Sequence, residues 1–121
     1  MTKHPITLAI ALAFAASIAL TGCDRISNLT EQEHIQRAKD SEDKGNLKEG
    51  VIELKNAIQK NPNSAQARLL LGEIYLRLGR GDEAEKEFSR AEKLGVNPET
   101  IKLKLGKAWL LMGENKRVLE E

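Results

Sequence analysis

The sequence is poor in the residues on which many folds and most metal sites depend. Its 121 residues hold one cysteine, two histidines, one tryptophan, one tyrosine and two phenylalanines. A single cysteine excludes an internal disulfide and a multi-cysteine metal site. His4 and His34 are too few and too far apart to make a metal cluster. An aromatic content of 3% argues against an ordinary β-sandwich or barrel, whose strands favour such residues. Neither charge sign dominates: 19 basic and 18 acidic side chains leave a net charge of +1, which gives no electrostatic reason to expect nucleic acid. With 31% charged and 40% hydrophobic residues the chain reads neither as a membrane bundle nor as a disordered polymer. No nucleophile stands with a base and an orienting acid, and no glycine-rich loop is built to cradle phosphate. The sequence therefore offers no enzyme, no cofactor, no metal and no small-molecule substrate.

Charge is also nearly missing from the first 22 residues, where Lys3 is the sole charged side chain. From Ile6 to Leu20 the chain is apolar except at Thr7 and Ser17. A short basic start and a brief apolar run form the pattern of a secretory signal. As a helix the run would reach about 22 Å at ~1.5 Å per residue, short of a ~30 Å hydrocarbon core. It ends in Leu20-Thr21-Gly22-Cys23. This resembles the signal of bacterial lipoproteins, in which a leucine and two small residues precede the cysteine that is acylated. The resemblance implies that Leu20, Thr21 and Gly22 are read by the signal peptidase and that Cys23, the lone soft nucleophile, carries the lipid. The other reading is a free cysteine behind an ordinary signal peptide. Several acyl chains would anchor the protein stably, where one would be marginal. Asp24 favours the inner over the outer membrane, again by resemblance. The mature chain would start at Cys23 with equal numbers of acids and bases.

The remainder repeats. Ala38, Gly72 and Gly106 are 34 residues apart, and so are Gly45, Gly79 and Gly113. Leu54 pairs with Phe88 at this interval, Ala57 with Ala91, Leu71 with Leu105, and Tyr75 with Trp109. Small and large apolar residues hold register together, so the period reflects packing. Leu71, Ile74, Tyr75 and Leu78 fall on one helical face, and Ala84, Phe88 and Ala91 on another. Thr30 with Glu33 and Asn46 with Glu49 are helix-start signals, and Asn97 precedes a proline suited to a first helical position. Gly45, Gly79 and Gly113 fall where helices must end and turn. The predicted helices are 31–44, 47–60, 65–78, 82–94, 98–112 and 115 onward.

Leu71-Gly72, Tyr75, Ala84, Phe88, Ala91 and Pro98 resemble the tetratricopeptide repeat (TPR) signature. The resemblance implies an all-α solenoid of antiparallel helix hairpins. Its units are a signal peptide (1–22), an acylated cysteine and tether (23–30), TPR 1 (31–64), TPR 2 (65–98) and a partial TPR 3 (99–121). Gly50 stands where alanine is usual, and Arg37 and Ser41 where leucine and tyrosine are usual. The stretches Gly50–Pro62 and Ala67–Leu76 resemble the opening of the PrsT family, the TPR-repeat lipoproteins of bacterial exosortase/PEP-CTERM systems. Members of that family are much longer and accompany exopolysaccharide production and PEP-CTERM protein sorting. Because no polar covering helix follows Arg117-Val118-Leu119, Leu105, Ala108 and Leu111 are expected to lack part of their cover. This end reads as that of a shortened array or as one that another subunit covers.

In this geometry the first helix of each repeat lines the inner surface. Ile35, Lys39, Leu69, Glu73, Leu76, Leu103, Lys107 and Leu110 are the candidate partner groove. Ala38, Leu54, Ala57, Leu71, Gly72, Tyr75, Ala84, Phe88, Ala91, Leu105, Gly106 and Trp109 are the candidate repeat packing. The leucines of the groove could accept an extended segment or an amphipathic helix, or could serve only as packing. Positions that grip a terminal carboxylate in some TPR domains hold Ile35, Lys39, Leu70, Thr100 and Lys104, which lack the asparagines for it. Arg80-Gly81-Asp82 reads as a turn, not as an adhesion tripeptide. His34, and Glu83 with Lys86 and Glu87, read as solvated surface. The resulting expectation is a scaffold, lipid-anchored through Cys23 and periplasm-facing, that gathers envelope proteins. The alternative is an accessory lipoprotein for assembly of an outer-membrane pore or secretin.

Overall fold

The computed structural model describes residues 28–114 and 117–118. Leu20, Thr21, Gly22 and Cys23, and most of the predicted helix from 115 onward, lie outside the described residues. Five helices follow one another: α1 (Glu31–Asp43), α2 (Leu47–Lys60), α3 (Ala65–Arg77), α4 (Gly81–Lys93) and α5 (Pro98–Leu111). Among the described residues there is no strand. α1 packs on α2 and α3 on α4 as hairpins; α2 then packs on α3, and α4 on α5. This is the helical-hairpin solenoid the period predicts.

Local chemistry sets the boundaries. Thr30 begins α1 with a reciprocal capping box: its hydroxyl accepts from the Glu33 amide, and the Glu33 carboxylate accepts from the Thr30 amide at 2.7 Å. Ser64 caps α3 by accepting from the Ala67 amide. Asn97 caps α5 by accepting from the Glu99 amide at 2.8 Å, with Pro98 in the first turn. Asn46, read from the sequence as a cap, makes no side-chain cap bond, because its backbone (φ −84°, ψ 63°) is not the extended conformation that aims the side chain at the next turn. Gly45 and Gly79 close α1 and α3 at φ +78° and +72°, a region that favours glycine. The amides that follow, of Asn46 and Arg80, reach back to Ser41 and Tyr75 carbonyls, completing a C-terminal loop of the Schellman type.

One core runs along the stack. Leu54, Ala57, Ala67, Ala84, Phe88, Ala91, Ile101 and Ala108 are fully buried, and Ile35, Ala38, Leu71, Ile74 and Tyr75 nearly so. A Cβ built on Gly72 would lie 2.5 Å from Cε1 of Phe88, so the bare backbone there makes room for the ring. Gly50 does the same for Ile74 of the next hairpin, whose Cδ1 would lie 2.8 Å from an added Cβ. Ala108, expected to lack cover, is fully buried, since its backbone closes on Gly81 at the start of α4. Gly106 departs from its expected packing role: an added Cβ there would meet nothing within 4 Å.

Candidate interaction surface

Two ion pairs stitch successive first helices together. Arg77 of α3 reaches Glu42 of α1 at 2.6 Å, and Lys104 of α5 pairs with Glu73 of α3. α1, α3 and α5 therefore share one flank of the stack, where the sequence puts the candidate groove. The structure distributes the groove residues unevenly. Ile35 is 2% exposed and belongs to the core, a correction to its reading as a groove residue. Leu69 and Leu76 are half-buried and pack against the core, and Lys39 is also half-buried. Glu73 is occupied by Lys104. Leu103 and Leu110 stand out at 67% and 56% exposure, with Lys107 exposed between them. These three residues, with Gly106, line an open cleft of about 420 Å³ along α5.

The candidate packing residues divide more simply. Ala38, Leu54, Ala57, Leu71, Gly72, Tyr75, Ala84, Phe88, Ala91 and Trp109 are buried, while Leu105 is half-buried. The Trp109 indole N–H donates to Glu85 of α4 at 2.9 Å, and the Arg117 guanidinium lies 4.5 Å from its ring centre. Arg117, bonded to Glu114 and Glu85, holds its proton more firmly than an ordinary arginine. Arg80 sits over Tyr75 and pairs with Glu83, so its side chain is engaged within the fold.

Sequence reasoning missed a recurrent polar tie. His34 is 2% exposed, not solvated, and its Nδ1 lies 2.6 Å from Glu53 of α2. Arg68 pairs in the same way with Glu87 of α4 at 3.0 Å. Glu87 is 7% exposed, so the expected solvated face of α4 contains a buried carboxylate. Each tie joins the two helices of one hairpin, and the signal was present, since both pairs are separated by 19 residues. A further tie holds the start of α1: Glu31 accepts from Asn61 at 2.8 Å. Hydrogen bonds from Ser64 and Asn61 lower the Glu31 carboxyl below its ordinary range, and those from Thr30 do so for Glu33.

Among the described residues no group of three acidic, histidine or cysteine side chains is placed to hold a metal ion. No described helix is long and apolar enough to cross a membrane. The features that remain are an exposed apolar helix face and the pairs that join one hairpin to the next, which is the equipment of a binding scaffold.

Comparison with known proteins agrees. A search of curated proteins gave no significant match. The tetratricopeptide-repeat family matches over residues 43–110, more than half of the chain and spanning α2 to α5. Repeats of this type point to protein–protein interaction. From this match and the stacked hairpins that carry it, the chain belongs to the tetratricopeptide-repeat family.

Proposed function

We propose that the chain is a lipid-anchored scaffold of the bacterial cell envelope. Cys23 carries the lipid, the repeats face the periplasm, and the inner membrane is favoured by Asp24. The repeats gather envelope proteins for exopolysaccharide export or for sorting of PEP-CTERM proteins. The particular system rests on the resemblance of Gly50–Pro62 and Ala67–Leu76 to the PrsT family, and the anchor on Leu20-Thr21-Gly22-Cys23.

The observation that carries the scaffold is the exposure of Leu103 and Leu110, at 67% and 56%, on a helix whose opposite side buries Ile101, Ala108 and Trp109. Large apolar side chains in one open cleft suit a polypeptide partner. The chemistry of the partner follows: it offers an apolar helix or extended strand, since Leu103, Leu110 and Val118 give the cleft an apolar floor edged by Lys102 and Lys107.

The test is co-purification from bacterial membranes with Cys23 intact and with Cys23→Ala. The intact chain is expected in the membrane fraction with exosortase or glycan-polymerising proteins bound, and the variant in the soluble fraction. Leu103→Lys with Leu110→Lys is expected to release the partners while leaving far-UV circular dichroism unchanged. Membrane capture that ignores Cys23, or partners that ignore both leucines, would contradict the reading.

A further inference from the structure

We propose that the outer face of α2 is a second membrane contact. It lies on the anionic phospholipid surface to which Cys23 anchors the chain, and it turns the flank of first helices away from the bilayer. This rests on the anchor reading above.

The helix itself places the face. Lys48, Ile52, Lys55 and Gln59 fall at i, i+4, i+7 and i+11, one stripe of α2, and all four are exposed. The opposite side buries Gly50, Leu54 and Ala57. Ile52 is therefore a large apolar side chain, 58% exposed, in the middle of a stripe that two lysines bracket. Packing does not ask for it, since the same position one repeat later, on α4, holds an exposed lysine, Lys86. The acids of α2 stand off the stripe. Glu53 is turned toward α1, where it bonds His34 at 2.6 Å, and Glu49 lies one turn before it on the same side. On α1 the exposed acids Glu33, Asp40 and Asp43 outnumber the exposed base Arg37. Positive charge in the first hairpin is thus gathered on the α2 side.

Covalent geometry brings this face to the surface. Thr30 follows Cys23 by seven residues, so α1 starts within about 25 Å of the anchor. Asn61, at the end of α2, donates to Glu31, the first residue of α1, at 2.8 Å. Ile52 lies about 14 Å along the helix from Asn61, at ~1.5 Å per residue. The stripe is therefore within the compass of the tether.

One apolar side chain and two lysines are too small a patch to seat a protein by themselves. They suit a lipid surface: the isoleucine enters the boundary between headgroups and acyl chains, and the lysines beside it meet lipid phosphates. Each contact is weak, but the anchor holds it at high local concentration, which turns a weak affinity into a preferred orientation. The first helices pack on the buried side of the second ones. With α2 on the bilayer, their shared flank, with Leu103 and Leu110, is presented to the periplasm.

The test is amine footprinting of the protein recovered from bacterial membranes. It is reconstituted in vesicles of phosphatidylethanolamine and phosphatidylglycerol, or of phosphatidylcholine alone. Protein that carries no lipid is coupled through Cys23, the lone thiol, to a maleimide-headed lipid in the same vesicles. A membrane-impermeant acetylating reagent and peptide mass spectrometry then compare Lys48 and Lys55 with Lys107, exposed on α5. Relative to Lys107, Lys48 and Lys55 are expected to react about fivefold more slowly in the anionic vesicles than in phosphatidylcholine. Ile52→Glu should restore their reactivity in the anionic vesicles, with circular dichroism unchanged because that side chain faces solvent. Equal reactivity in the two kinds of vesicle, or slowing that survives Ile52→Glu, would overturn the proposal. So would slowing that grows with protein density, since protein rather than lipid would then cover the face. Recovered protein with no lipid on Cys23 overturns the anchor reading, and with it the contact in the cell, whereas the coupled chain still reports whether the face itself meets lipid.

Discussion

Position for position, the α1–α2 hairpin and the α3–α4 hairpin divide their volume differently. Within the first, the inner positions of the two helices hold Ala38 and Leu54; within the second, the same positions hold Gly72 and Phe88. Removing one methyl group from the first helix admits a ring on the second, and that ring fills the gap completely, with Phe88 fully buried. Between hairpins the trade recurs. Gly50 of α2 faces Ile74, whereas the same two positions one repeat later hold Ala84 and Ala108. The repeat is thus a template of summed volume rather than of fixed residues, as close-packed interiors demand. The two glycines differ in what their missing methyl would strike: the body of a buried ring at Gly72, the flexible tip of an isoleucine at Gly50.

The largest test of this comparison empties the more lopsided seam. Phe88→Ala should lower stability by about 3–5 kcal/mol, read as a drop in the urea midpoint. Next, Gly72→Ala should destabilise: overpacking by about 1–3 kcal/mol outweighs the ~1 kcal/mol that alanine brings to a helix. Adding Phe88→Leu reproduces the residue pair of the first hairpin and should recover much of that loss in a double-mutant cycle. Gly50→Ala should stay within about 1 kcal/mol of the parent, because Ile74 can turn its tip aside. Equal losses at Gly50 and Gly72 would end the distinction between ring and tip. A smaller contrast concerns the helix starts of the first hairpin. Thr30→Ala should lower stability by about 1 kcal/mol, while Asn46→Ala, which breaks no cap bond, should remain within about 0.5 kcal/mol.

The smallest effect is set by pH. Glu31 and Glu33 have carboxyls lowered by hydrogen bonds that exist only in the folded chain. Their support is therefore fully present above the ordinary glutamate range, about pH 4.3, and is lost as pH falls through their lowered values. Hydrogen exchange should show the first turn of α1 loosening there before α3, whose cap is the neutral Ser64 hydroxyl. Uniform loosening of α1 and α3 would count against it.

The fold was legible because its constraint is periodic. Glycine at 45 and 79 and large residues at 54 and 88 keep their spacing wherever the same seam must be filled, and a single sequence displays that spacing. Four of the five helices start at the expected residue; α4 starts one residue early, at Gly81, whose close approach to Ala108 and Met112 fixes the junction. What escaped was anything that depends on the neighbour. Ile35 and Leu103 occupy the same repeat position, and only the packing around each helix decides that one is core and the other surface. His34 and Glu53 look like two unrelated polar residues until the second hairpin shows Arg68 and Glu87 at the same separation. Lys102 and Glu121 have that separation too, although Glu121 lies outside the described residues. Asn46 fails as a cap through a backbone torsion that its composition does not disclose.

The scarcity of aromatics has a practical side. Trp109 is the sole tryptophan and Tyr75 the sole tyrosine, and each lies beneath an arginine, at 4.5 Å and 4.8 Å. The indole is bonded to Glu85 across the α4–α5 contact, while the phenol is buried in α3, one repeat earlier. The molecule thus carries two intrinsic optical probes, one in the second repeat and one in the third. Following both emissions through a single denaturation would reveal whether the stack melts as a unit or sheds α5 first, with no label attached.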